Sequence, residues 1–327
     1  MPKDAEFDLD RYLRASGRVD LSSVDWPAVS VHRLDGAEAR CLAYMMDIES
    51  HTVIFLRDLL ATRAAFQPDV TAFLSCWVYE ELWHGEAFSR FLGEAGFTLA
   101  PDREAVAGDS PYPTKAGRNA WIRRTLAGSS AVSHLATMAG SALAGDDFVA
   151  VHMTWGALNE LSTLTGYHAL IERTKHPMLV QLLRAIIKDE RRHFAFYRAQ
   201  ARLRLARSAR ARRLTRWTMQ HLWAPVGTGV RPQEETDFVV ATLFGHGGGA
   251  RRVEELDATI RELPGLEGTS LASDARRAAL RRMTPSRAAS LAGDEQLARA
   301  GLFRSSHDHP PSEEQAPAGF ATTASAA

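Results

Sequence analysis

Two copies of a Glu-x-x-His pattern, each inside an amphipathic helical segment, constrain the fold of this chain more than any other feature. The first copy is Glu81 and His84, and the second is Glu190 and His193. Around both copies the apolar residues recur at helical spacing, on the face that carries the acid and the imidazole. A buried carboxylate needs a partner, because its desolvation is otherwise too costly. The pattern predicts two helices that direct these groups into a shared core.

A single Glu-x-x-His copy is more typical of a buried Glu–His or Glu–Arg pair than of a metal site. The metal interpretation therefore depends on the second copy and on further acids that lie in phase with an apolar stripe. Glu49 lies in phase with the apolar residues of the segment 43–60, whereas Asp47 falls on another face and is the weaker candidate. Glu160 is in phase with the apolar residues of the segment 153–170. The sequence therefore predicts six metal ligands, which are Glu49, Glu81, His84, Glu160, Glu190 and His193.

The spacing of these residues indicates an antiparallel four-helix bundle. Glu49 precedes Glu81 by 32 positions and Glu160 precedes Glu190 by 30, so each half reads as a helix with one Glu, a turn, and a helix with Glu-x-x-His. Helix starts are marked by Asp35, Pro68 and Pro177. The predicted fold class is all-α, a bundle with a long crossover and additional C-terminal helices.

The residue types favour a dinuclear metal site. Four carboxylates can neutralise two divalent ions, while two neutral imidazoles complete a coordination shell that leaves positions for dioxygen. Zinc would prefer fewer ligands and thiolates. Two iron ions are the expected cofactor, with manganese or a mixed pair as the alternative.

The motifs EELWHG, LNELST and KDERRH resemble those of the soluble acyl-carrier-protein desaturases of the ferritin-like superfamily. Their first motif is a doubled acid followed by His and Gly, and their second is Asp-Glu-x-Arg-His; Glu80 and Glu81 fit the first, and Asp189, Glu190 and Arg192 fit the second. The resemblance covers residues 36–205 and is more specific for the metal fold than for desaturation.

The resemblance implies a fold, an activity and two further site residues. The implied reaction is desaturation of a fatty acyl chain on acyl carrier protein, with two Fe²⁺/Fe³⁺ ions as cofactor and dioxygen as cosubstrate. The resemblance also implies an external electron donor of ferredoxin type and a homodimer. Thr163 stands where the family has a Thr lining the dioxygen site, although a Thr at this place can also bond its own helix carbonyl. Asp189 matches a residue thought to hydrogen-bond a ligand histidine and to pass electrons inward.

Other ferritin-like activities remain as alternatives. An N-oxygenase of the arylamine-oxidising group would carry a seventh ligand, a histidine, where this chain has Ile186. Hydroxylation of a small metabolite is a further alternative. Iron storage or peroxide detoxification is less favoured, because such subunits are usually a bare bundle about half this length or carry a CxxC iron domain, which this chain lacks.

Composition narrows the cellular setting. The formal net charge of zero gives no general attraction to nucleic acid, and no apolar stretch reaches the roughly 18 residues of a membrane span. Cys41 and Cys76 are too few for a disulfide framework and are interpreted as core thiols. With a charged N-terminus that does not resemble a signal peptide, we expect a cytoplasmic enzyme.

We expect four regions along the chain. Residues 1–35 form an N-terminal arm, and 36–205 form the di-iron bundle including the crossover 97–145. Residues 206–300 form a helical extension, and 301–327, rich in Pro, Ser, Ala and Glu, form a disordered tail.

Two features have an ordinary and a functional interpretation. The arginine-rich stretch 202–216 is either a solvated helix face or a basic surface that meets an acidic carrier protein. A set of apolar and aromatic residues is either ordinary core or the lining of an acyl channel beside the metals. That set is Trp77, Met153, Thr163, Leu164, Tyr167 and Phe194.

Overall fold

The structure, a computed structural model, describes residues 7–99, 130–284, 297–298 and 301–304. Within these ranges the chain forms ten α-helices, two 3-10 turns (Pro27–Val29 and Arg63–Phe66) and one pair of short strands. The helices are α1 (Leu9–Ala15), α2 (Gly36–Leu60), α3 (Pro68–Glu94), α4 (Ser130–Ala144), α5 (Asp146–Arg173), α6 (Pro177–Arg207), α7 (Ala209–Leu222), α8 (Gln233–Phe244), α9 (Gly247–Ile260) and α10 (Leu271–Arg282).

Local signals explain where the long helices begin. Asp35 caps α2 with a capping box, in which its side chain accepts from Glu38 N while the Glu38 side chain accepts from Asp35 N. Proline occupies the first position of α3 and of α6, where the missing N–H costs no hydrogen bond. The predicted helix starts at these three places are confirmed.

The helices α2, α3, α5 and α6 form the bundle, and their direction follows from the core. One apolar cluster gathers the first halves of α2 and α6 with the second halves of α3 and α5. A second cluster contains residues from the opposite ends of the same four helices. Each helix in α2/α3 and in α5/α6 is therefore antiparallel to its partner, while α3 and α5 run parallel and require a long crossover. The predicted all-α fold class, a four-helix bundle with a long crossover and additional C-terminal helices, is confirmed.

The extra helices pack around this bundle. The α7 helix lies against α5 and α6. The helices α8, α9 and α10 contact one another; α8 and α9 also contact α5, and α8 contacts α2. The α4 helix falls within the predicted crossover 97–145, of which residues 100–129 lie outside the described part. The proposed division into four regions stays a prediction.

A short antiparallel ladder corrects one expectation. Disorder was predicted from residue 301 onward, but Leu302–Arg304 pairs with Phe97–Leu99, with Phe97 opposite Arg304 and Leu99 opposite Leu302. Leu302 and Phe97 are buried, and their burial holds the strand in place despite the polar composition that follows it. Residues 305–327 lie outside the described residues.

Among the described residues no helix is long and apolar enough to cross a membrane. Both cysteines are free thiols, but only Cys41 is buried; Cys76 is partly exposed, so the expectation of two core thiols holds for one of them.

Candidate dinuclear metal centre

The six residues that the sequence predicts as ligands lie together in the layer between the two apolar clusters. Each of the six is at most 6 % exposed. Their ligand atoms form two groups, each with atoms within 4.8 Å of one another. Both groups contain Glu81 and Glu190, to which the first adds Glu49 and His84 and the second adds Glu160 and His193. The two shared carboxylates therefore stand where they could bridge two ions.

Each imidazole directs one nitrogen into the cluster. His84 Nδ1 lies 3.1 Å from Glu190 Oε1, and His193 Nδ1 lies 3.0 Å from Glu81 Oε1. Each histidine thus approaches the shared carboxylate of the opposite Glu-x-x-His helix. The two Nε2 atoms point away from the cluster, which leaves them to be bound by other residues.

The outward nitrogens are held in a reciprocal arrangement. His84 Nε2 lies 3.2 Å from Asp189 Oδ2, and His193 Nε2 lies 2.7 Å from Glu80 Oε2. In both cases the acid directly precedes the shared glutamate on the facing helix. Arg192 Nη2 then donates to Asp189 Oδ1 at 2.7 Å and to Glu80 Oε1 at 3.1 Å. One guanidinium, 32 % exposed, therefore connects the supports of both histidines.

The N-terminal arm contributes to this arrangement through Glu80. The Tyr12 hydroxyl donates to Glu80 Oε2 at 2.8 Å, and Gly17 N donates to Glu80 Oε1 at 3.3 Å. Burial opposes ionisation of Glu80, but the hydrogen bond with His193 and the contacts with Tyr12 and Arg192 lower its pKa to about 2. Glu80 is therefore an anion that fixes the ring orientation of His193.

The two unshared carboxylates are also oriented by hydrogen bonds. Tyr167 donates its hydroxyl to Glu49 Oε1, and Trp77 Nε1 donates to Glu160 Oε1 at 3.0 Å. Burial and the neighbouring charge of Glu81 raise the pKa of both Glu49 and Glu160 well above the ordinary value. Four carboxylates this close resist simultaneous ionisation unless positive charge is placed between them.

The donor set fits divalent metal ions. Within the described part of the chain, both oxygens of Glu190 and the Nδ1 atoms of His84 and His193 are buried without a partner in hydrogen-bond geometry, although each Nδ1 lies close to a shared carboxylate. Burial opposes protonation of the two imidazoles, but hydrogen bonding to the surrounding acids raises their pKa. Metal ions would replace those protons and satisfy the unpaired atoms, so metal affinity should fall as pH falls.

Asp47 has a different role from Glu49. Asp47 is buried, but its Oδ2 lies 3.3 Å from Arg231 Nε, in the connection between α7 and α8. The helix phase that favoured Glu49 over Asp47 agrees with these positions, because Glu49 faces the cluster and Asp47 faces the connection.

Replacing these two acids should therefore give different results. Glu49→Ala is expected to remove most of the metal from one of the two positions, because Glu49 belongs to one group only. Asp47→Ala should leave the metal content unchanged. Elemental analysis of both purified variants measures this, and an equal loss from Asp47→Ala would mean that the helix phase is wrong.

The acids that support the histidines should affect metal binding without being ligands. Asp189→Asn and Glu80→Gln are each expected to lower metal affinity about 10- to 100-fold, the usual effect of removing a histidine's partner. Glu94→Gln, an exposed acid at the end of α3, is the matched control. Competition titration against a chelator gives the affinities; unchanged values for Asp189→Asn and Glu80→Gln would show that Asp189 and Glu80 do not position the ligands.

A cavity of about 350 Å³ opens beside the cluster. Its base is formed by Glu49, Glu81, Glu160 and Glu190, and Thr163 and Trp77 line its wall. A second cavity of about 90 Å³ shares Glu49 and Thr163 with the first and is lined by Tyr167. Of the residues predicted as channel or core, Met153, Leu164 and Phe194 line neither cavity and pack in the apolar clusters.

Thr163 has no hydrogen-bond partner among the described residues, in contrast to its neighbours Ser162 and Thr165. Ser162 and Thr165 each donate to the carbonyl four residues earlier. Thr163 instead lines both cavities, next to Glu160. Its hydroxyl is therefore available to a molecule in the cavity.

Several supporting residues were not identified from the sequence. Tyr12 and Trp77 reach the site from other elements, and no local pattern indicates their partners. Glu80 carried a usable signal, since it precedes a ligand just as Asp189 does. Recognising this equivalence between the two Glu-x-x-His segments would have identified Glu80 as a support for His193.

Comparisons with known proteins found one distantly similar structure and no related sequence. No protein-family model and no curated protein matches the chain. One solved structure is similar, a variant of an R2-like ligand-binding oxidase with aerobically reconstituted Mn/Fe cofactor. It shares 16 % identity over 86 % of this chain and 91 % of the other, with a TM-score of 0.45. A similarity this low supports no conclusion about the chain, so the evidence for its fold and its site is the geometry of its own residues.

Proposed function

We propose that this chain is a dioxygen-dependent oxidase with two metal ions, held by Glu49, Glu81, His84, Glu160, Glu190 and His193. The observation that carries the proposal is the pair of overlapping ligand groups that share Glu81 and Glu190. This is the residue set of di-iron carboxylate bundles, a Glu from each of two helices and a Glu-x-x-His from each of the others. Two irons are the proposed pair, with manganese or a manganese–iron pair as the alternative.

When bound, the metal pair would supply the two-electron chemistry that activates dioxygen. The chain's own residues orient the ligands, through Asp189 and Glu80 on the histidines and through Tyr167 and Trp77 on the carboxylates. Arg192 lies between the surface and both histidine supports, which makes this side suitable for an external donor of ferredoxin type.

The resemblance favours a fatty acyl chain on acyl carrier protein as the substrate. Desaturation would take two hydrogen atoms from the chain, two electrons from the donor and two protons from solvent, and it would reduce dioxygen to two waters. The surface of α7 supports binding of an acidic carrier protein, because its sequence contains arginines but no acid, and Arg213 is exposed. Leu222 at the end of α7 lines the large cavity, which places this surface beside the site. Arg212 and Arg216, however, are bound to backbone carbonyls. A homodimer stays a prediction of the resemblance.

A second candidate is hydroxylation or N-oxygenation of a small metabolite. The cavity favours it, because about 350 Å³ lies near the lower end of the range for small-molecule sites, and Thr52 and Asn159 give it polar walls. Iron storage has no need of an organic-sized cavity at the ligands, so the structure favours an oxidase over that alternative.

The test is anaerobic reduction followed by exposure to oxygen, with acyl carrier proteins bearing different chains, free small metabolites and arylamines. Product mass and oxygen uptake are measured together. Substrate-dependent oxygen consumption with an oxidised product would support the proposal. Metal-loaded protein that consumes no oxygen with any reductant would contradict it.

Thr163→Val is expected to alter coupling while keeping metal content and fold, because the two side chains have similar shapes. Removal of a hydroxyl beside the ligands should cause more of the consumed oxygen to leave as hydrogen peroxide or water per product formed. Thr165→Val, whose hydroxyl only bonds its own helix, is the control. Product and peroxide yields are compared at equal metal content; identical coupling in both variants would give Thr163 a structural role only.

A further inference from the structure

Residues 223–231, which make up the connection between α7 and α8 up to the residue before the Pro232 cap, form the outer wall of the large cavity. We call this segment the strap. Its residues from Ala224 to Val230 line that cavity, and Pro225 and Val226 also line the smaller one. The strap therefore faces the ligand carboxylates across a cavity that is large enough for a small organic molecule.

Three polar contacts hold the strap at its start, middle and end. Trp223 Nε1 donates to Asn159 Oδ1 at 3.1 Å, and the Tyr44 hydroxyl donates to Val226 O at 2.6 Å. At the other end, Arg231 lies 3.3 Å from the buried Asp47. The strap is thus bound to α2 at two places and to α5 at one, and both helices carry candidate ligands.

The middle contact allows little freedom of position. Gly227 has a φ of +92°, and a Cβ there would lie 2.2 Å from the Tyr44 hydroxyl oxygen and 2.7 Å from Ile48 Cδ1. Only glycine allows the backbone to lie this close to Tyr44 in this conformation. Because the Tyr44 hydroxyl donates its proton to Val226 O, it accepts the hydrogen bond of 2.9 Å from the Thr236 hydroxyl in α8. This second bond fixes the Tyr44 hydroxyl beneath the strap.

The two cavities beneath the strap differ in chemistry. The large cavity has polar walls at Thr52 and Asn159 and aromatic walls at Phe55 and Trp155. The small one, which shares lining residues such as Thr163 with the large one, is apolar and is lined by side chains such as Met45 and by residues of α8; we call it the branch. Because the branch holds only about 90 Å³, it has room for the end of a molecule but not for a long chain.

We propose that the strap, held by Tyr44, selects compact amphipathic substrates, whose apolar end enters the branch past Thr163 while a polar group stays between Thr52 and Asn159. In this position the substrate passes directly over the ligand carboxylates. This inference rests on the proposed oxidase function, and within it favours the second candidate substrate, a small metabolite, over a fatty acyl chain. Long linear chains fit only when the strap is released.

Binding of defined probes to the purified protein tests the proposal. Indole is the compact probe, and hexanoate, decanoate and hexadecanoate form a length series, with dissociation constants from calorimetry. The unsubstituted protein is expected to bind indole at least tenfold more tightly than hexadecanoate. Tyr44→Phe, which removes the hydroxyl but keeps the ring, should narrow that ratio by about tenfold, while Tyr79→Phe outside both cavities should not change it.

Asp47→Asn is a second variant, because it weakens the end contact of the strap without touching Tyr44. A protein that binds hexadecanoate as tightly as indole, or a ratio that neither variant changes, would overturn the proposal. Metal content and oxygen uptake are measured on the same preparations. Metal-free, inactive protein with the expected binding ratios would contradict the oxidase function and leave the strap supported; active protein with unaltered ratios would contradict the strap alone.

Discussion

Glu190→Ala is expected to empty both metal positions, the largest single effect on the site. Glu190 belongs to both ligand groups, and both of its oxygens are buried without a hydrogen-bond partner among the described residues. Its removal also takes the nearest acid from His84 Nδ1. The metal content measured by elemental analysis should fall from about two ions per chain to well below one. Glu81→Ala should behave in the same way.

The control for this experiment is an acid of the same burial and helix type outside the cluster. Asp47→Ala serves, because its loss breaks a contact to Arg231 rather than a metal bond. Circular dichroism should show both glutamate variants still helical, since the apolar clusters on either side of the site remain. Full metal retention by folded Glu190→Ala and Glu81→Ala would exclude the shared-carboxylate assignment.

Gly156→Ala is expected to destabilise the bundle by about 1–3 kcal/mol through overpacking. A Cβ at this position of α5 would lie 2.3 Å from Tyr197 Cδ1 and 2.4 Å from Cε1. The Tyr197 ring cannot retreat, because it packs edge-on against Phe73 and Trp77 at centroid distances of 5.3 Å and 5.8 Å. The free energy of unfolding from urea titration measures the effect.

Gly166→Ala provides the comparison on the same helix. The nearest atoms to a Cβ there, from Leu243 and Met45, are 3.9 Å away. Alanine is the better helix former, so this variant is expected to gain about 0.5–1 kcal/mol. Equal changes in unfolding free energy for the two variants would show that the contact with Tyr197 does not limit the packing of α5 against α6.

The four bundle helices and the convergence of six side chains followed from local periodicity. On a helix, the face that carries Glu49 or Glu160 is fixed by neighbouring apolar residues, so the phase can be determined without knowledge of the partner helices. The starts of α2, α3 and α6 could be predicted in the same way from Asp35, Pro68 and Pro177, because each of these residues affects only the first turn of its own helix. The nature of the metal does not follow from these patterns.

The contacts between elements could not be predicted in this way. The two Glu-x-x-His segments indicate that Asp189 and Glu80 hold equivalent places, but which histidine each acid meets depends on how the two helices cross, and local periodicity does not give that crossing. The strap contains turn residues such as Gly227, and these predict a connection but not the cavity that it covers. The pairing of residues 302–304 with 97–99 joins parts of the chain too far apart for local sequence to indicate it.

Mössbauer spectroscopy of protein loaded anaerobically with isotopically enriched ferrous iron, and then exposed to oxygen, tests the central claim most directly. Ions that share Glu81 and Glu190 should be close enough for their spins to couple. We therefore predict about two irons per chain, oxidised together into a coupled pair without a ferric paramagnetic resonance signal. Magnetically isolated ferric ions, or one iron per chain, would contradict the account.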